Sequence, residues 1–105
     1  RSLLCGKTML ADFLIAAHIK RRSDCDDHEK RDLDGVLMLA CKFGCDYLYE
    51  VGYISVDINN KLVVSPKLKD KSALAYLQNM KNKSINVRPS QIGYFEWHFQ
   101  NRFIK

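Results

Sequence analysis

The sequence predicts an α+β domain, on three observations. Two short apolar runs are separated by a long polar stretch, a helix-spaced segment follows the second run directly, and two β-rich runs joined by "INN" come later. The resulting order is strand, loop, strand, helix, hairpin, helix, helix. With 105 residues and 47% hydrophobic content, the chain can bury one small core, so residues 1–105 are read as one domain. Because it starts at Arg1 and not Met, the expectation is a piece of a longer polypeptide.

The first strand is expected within residues 9–19, "MLADFLIAAHI", an apolar run with β-branched Ile15 and Ile19 near its end that leads to His18. Residues 20–34 carry almost no apolar side chain and read as a surface loop of the length that is usually functional. "GVLMLA" (35–40) is long enough to pair antiparallel with the first run. In "CDYLYEVG" (45–52), Leu48 and Val51 lie three apart and Gly52 sits where a helix would end. "YISVD" and "KLVVS" form a hairpin whose turn uses Asn59 and Asn60, residues that tolerate left-handed backbone. "SALAYLQNM" (72–80) has helical spacing behind a serine cap, and Ser90 is expected to cap an aromatic-rich last helix.

Charge narrows the function. The chain carries a net +5, and between Ile58 and Phe95 seven cations (Lys61, Lys67, Lys69, Lys71, Lys81, Lys83 and Arg88) face Asp70 alone. The acids gather in "SDCDDHEKRDLD" (23–34). A one-signed half suits a phosphate-binding surface, where each neutralised phosphate releases condensed counterions. No apolar run approaches the roughly 20 residues of a membrane span. Nothing in the composition points to secretion, so a reduced, cytoplasmic setting is expected. The cysteines Cys5, Cys41 and Cys45 resemble a zinc set, but Ser2 stands where the fourth ligand would be. Free buried thiols are therefore the preferred reading, for Cys25 as well.

Three positions carry candidate chemistry: His18 at the end of the first strand, Asp34 at the start of the second, and Asp46 in the first turn of the helix. In a strand–strand–helix unit these places can converge on one face. Two carboxylates can hold a hard divalent cation, and a neutral imidazole can take a proton from attacking water. Lys20, Arg21 and Arg22 follow His18 directly, as phosphate contacts beside a reacting bond would.

The segments "AAHI", "DGVLML", "CDYLYEVGYISVD", "KLVVSPKL" and "RPSQIGYFEWHFQNRF" resemble, in order, those of HNH endonucleases of the restriction-type branch, from about residue 3 to 103. The resemblance implies a ββα-metal core with an added β-hairpin and C-terminal helices. It also implies a metal-dependent DNA endonuclease domain of a restriction or defence system, with other domains in the same chain and a homodimer as one assembly. Under it His18 is the general base. Asp34 takes the place of the family's Asn as base-orienting residue or metal ligand, and Asp46 holds Mg2+ or Mn2+ in place of the last histidine. Two departures are plain: Ala17 stands where many members carry an acidic metal ligand, and Asp34 replaces a neutral amide. They keep open a weakened, DNA-gripping module, beside an RNase or toxin nuclease. His28 reads as a solvated loop histidine, and His98 as a packing or hydrogen-bonding one. Trp97, Tyr94 and Phe99 read as core or base-stacking residues, and Phe95 with them.

Overall fold

The computed structural model describes residues 1–105 as a mixed helix and strand domain with five helices and two small antiparallel sheets. The first run begins as a 3-10 turn, Ala11–Phe13, and only then extends into β1 (Leu14–His18). The stretch expected to be a loop is instead largely helical. A 3-10 turn, Arg22–Asp24, precedes α1 (Asp27–Arg31) and α2 (Leu33–Val36). Its polarity is that of exposed short helices held by their caps. Asp26 and Glu29 form a capping box, and the Asp32 carboxylate accepts the Gly35 N–H at 3.3 Å.

β2 (Leu37–Cys41) pairs antiparallel with β1, Leu14 opposite Cys41 and His18 opposite Leu37. α3 (Cys45–Glu50) follows after a three-residue turn. Its buried face, Cys45, Leu48 and Tyr49, packs in one core with Ala17, Ile19, Met38 and Ala40 of the strand pair. The Tyr49 hydroxyl also donates to the Ile19 carbonyl at 2.8 Å, tying the helix to the end of β1. Gly52 ends the helix with a φ of +92°, and a Cβ there would collide with the Arg102 carbonyl. α3 can therefore turn into the hairpin only through glycine at this position.

The hairpin is β3 (Ile54–Val56) and β4 (Leu62–Val64). Of the two turn asparagines, Asn60 is the one with left-handed backbone, at φ +60°. Asp57 organises the turn by accepting the Asn59 and Lys61 N–H groups at 2.9 and 3.0 Å. α4 (Lys71–Leu77) is capped by Asp70, not by Ser72, because the Asp70 carboxylate reaches the Ala73 N–H at 2.9 Å. α5 (Ile92–Asn101) follows a 3-10 turn, Pro89–Gln91, that contains Ser90. Ser90 does not cap α5, which has no side-chain cap; Gln91 instead accepts the Arg88 N–H at 3.0 Å and donates to the Leu37 carbonyl at 3.1 Å, tying the turn to β2. No helix is long and apolar enough to cross a membrane.

Candidate functional site

His18 is the last residue of β1, half-buried, and takes part in neither of the molecule's two ion pairs, Lys20–Glu29 and Arg88–Asp34. Pleat alternation sets its direction. Directly opposed residues share a sheet face, so His18 goes with Leu37, Ala16 and Leu39, of which Ala16 and Leu39 are exposed. Ala17, Met38 and Ala40 occupy the other face, the one packed with α3.

Asp46 rises from the first turn of α3. It is half-buried, and burial followed by the charge of Glu50 one turn on raises its pKa. A carboxylate in this condition gains from a cation. Asp34 is not at the start of β2, which begins three residues later; it lies exposed in α2. There Arg88 engages it twice, Nη1 standing 3.5 Å from its carboxylate and Nη2 donating to its carbonyl at 2.6 Å. Asp34 is thus held on α2 by Arg88, and His18, Asp34 and Asp46 do not bring three ligand atoms together. A preformed oxygen cage for Mg2+ or Mn2+ is absent, and Ala17 adds no ligand. Asp46 alone is left to offer a carboxylate, and Mg2+ commonly takes its other ligands from water and substrate phosphate.

Of the expected phosphate contacts, Lys20 is otherwise engaged. Its ammonium donates to both Glu29 oxygens, at 2.9 and 3.0 Å, and lies 5.0 Å from the centre of the Trp97 ring. The same pairing, after the Asp26 backbone N–H, holds Glu29 below the usual carboxylate range. Arg21 and Arg22 are exposed and in no ion pair.

The four cysteines, Cys25 included, are free and buried as expected, and three of them lie together. Cys5 from the N-terminal turn, Cys41 at the end of β2 and Cys45 at the start of α3 are all buried, with sulfurs within 4.8 Å of one another. This group can hold a metal ion. Ser2 is buried beside it but committed, its Oγ accepting the Cys41 N–H at 3.1 Å. The oxygen that touches the sulfurs comes from α4: the Tyr76 hydroxyl lies 2.9 Å from Cys41 Sγ and 3.4 Å from Cys45 Sγ. Its ring lies against Gly44, where any Cβ would strike it at 2.7 Å. Burial pushes all three groups up. Hydrogen bonds from Tyr76 and Cys45 outweigh it at Cys41, which falls to about 7, while Cys45 rises to about 12 and Tyr76 rises too. The hydrogen bonds around Cys41 thus favour its thiolate over that of Cys45. The three cysteines were legible in the sequence as a candidate zinc set; the tyrosine, 31 residues on from Cys45, carried no sequence signal.

His98 is a core histidine. Its Nε2–H donates to the Tyr49 carbonyl at 2.8 Å, its Nδ1 pairs with Ser55 Oγ at 2.7 Å, and its ring stacks on Tyr49 at 3.7 Å. His28 is exposed on α1. Phe95 is core, Trp97 packs under Lys20, and Tyr94 donates to Asp32 at 2.6 Å. Phe99 stacks on Phe103.

Compared with known proteins, the chain matches no family model and no curated sequence.

Proposed function

We propose that this domain binds DNA by its phosphates and hydrolyses a phosphodiester bond, as a nuclease of the HNH kind that its motifs resemble. The observation that carries the reading is the β1–β2–α3 unit, whose first strand ends in an imidazole outside any ion pair, followed by exposed Arg21 and Arg22. His18 takes the proton of the attacking water, and the two arginines hold the flanking phosphates. Asp46 is the group that would hold Mg2+ or Mn2+, which when bound supplies charge stabilisation to the phosphate. Zinc is the ion proposed for the cysteine group, in a structural role, with three sulfurs and an oxygen as donors.

A second reading has its own support. Ala17 is packed into the core and Asp34 is tied to Arg88, which favours a module that grips DNA without cutting it. Titration with Mg2+ and Mn2+ separates the two. Divalent-dependent nicking supports the nuclease, whereas salt-sensitive binding without nicking supports the module. Asp46→Ala should raise the Mn2+ concentration needed for cleavage, and added Mn2+ should restore part of the rate.

A further inference from the structure

The face of the β1–β2 sheet that bears His18 also carries an open cleft of about 500 Å³, within the usual range for a small-molecule site. Its floor is apolar, from Ala16, Leu37 and Leu39, and the small Ala16 side chain stands directly opposite Leu39. Arg1, Arg88 and the exposed amide residue Asn86 line it as well. The Arg88 guanidinium is held in place by Asp34 yet its side chain remains 53% exposed, so it can meet an anion without giving up its backbone contact. His18 stands opposite Leu37, at the end of this same face.

We propose that the cleft is a subsite for one unpaired nucleotide of the DNA strand, a proposal that rests on the phosphodiesterase reading above. The base lies on the apolar floor, its polar edge meets Asn86, and the 5′-phosphate meets Arg88 and Arg1. Three features select this occupant. The apolar floor suits the face of a base, the two arginines outnumber the single Asp34 on the rim, and the face is shared with the proposed base, which places the next phosphodiester toward His18. An unpaired nucleotide fits where a stacked one does not, because a duplex keeps its bases out of any side cleft.

The test is titration of deoxynucleoside 5′-monophosphates and the matching phosphate-free nucleosides onto the protein, followed by NMR, beside duplex binding and cleavage assays. Wild type and His18→Ala are expected to bind the monophosphates alike, with Kd near or below about 1 mM and the nucleosides weaker. Ala16→Trp, which fills the cleft from an exposed strand position, should weaken monophosphate binding at least tenfold. Leu39→Glu, which sets a negative charge on the floor, should do the same, and unchanged melting temperatures show both variants folded. The proposal is overturned if wild type binds no monophosphate at several mM, or if both cleft variants bind as wild type does. Loss of the nuclease reading shows separately: a protein that never cuts DNA but still binds monophosphates through Ala16 and Leu39 keeps the cleft and loses only the chemistry.

Discussion

His98 shows how one side chain can join three elements. Burial drives its pKa from 6.5 down to about 4, although the hydrogen bond to the Tyr49 carbonyl pulls the other way. The folded protein therefore binds fewer protons than the unfolded chain between these values. Stability is fully present above pH 6.5 and drains as the pH falls toward 4, by up to about 3 kcal/mol. Thermal melts across that window should show the loss, and His98→Leu should remove this dependence. The same variant strands the Tyr49 carbonyl and the Ser55 hydroxyl in the core and should cost about 2–4 kcal/mol at pH 7. A second residue-scale expectation concerns Gly52, whose φ of +92° and contact with the Arg102 carbonyl exclude a side chain. Gly52→Ala should destabilise by more than about 1 kcal/mol in urea melts. The sequence marked Gly52 as a helix end, but not the second constraint, since a carbonyl fifty residues away leaves no trace in local spacing.

Elements with a hydrophobic period were legible, and those held by caps were not. β1, β2, α3 and the hairpin follow from apolar runs and turn residues, because burial sets their period. α1 and α2 bury little beyond Gly35 and Val36, so residues 20–34 looked like loop when Asp26 and Asp32 were in fact nucleating short helices. That extra turn moves Asp34 off β2 and into the reach of Arg88. Exposed ion pairs contribute about 0–1 kcal/mol, so Asp34→Ala should change stability by no more than that. If His18 carries the chemistry with little help from position 34, the same variant should cut DNA within a few-fold of wild type. The cysteine group makes a further element-scale test, because it fastens the N-terminal turn to β2 and α3 while Tyr76 brings α4 onto it. Zinc should bind with release of protons and raise the melting temperature, and Cys41→Ser should abolish both effects. All three cysteines were readable as a candidate zinc set; Ser2 in the fourth ligand place argued against a complete one, and the Tyr76 oxygen carried no signal.

For the whole molecule, the net charge of +5 predicts salt-sensitive DNA binding, and the structure refines which cations carry it. Lys20 is neutralised by Glu29, so Arg21 and Arg22 are the pair to remove. Replacing both with Gln should flatten the slope of log affinity against log salt by about two, equally for unrelated DNA sequences. The central claim, that His18 acts on a phosphodiester, is tested most directly by following supercoiled plasmid with Mg2+ or Mn2+, for wild type and His18→Ala at concentrations where both bind it. The account predicts nicking by wild type and a rate about 10²–10⁴ lower for His18→Ala, with DNA affinity unchanged. Binding without nicking by wild type under Mg2+, Mn2+ and Zn2+, or nicking by His18→Ala at the wild-type rate, would contradict it.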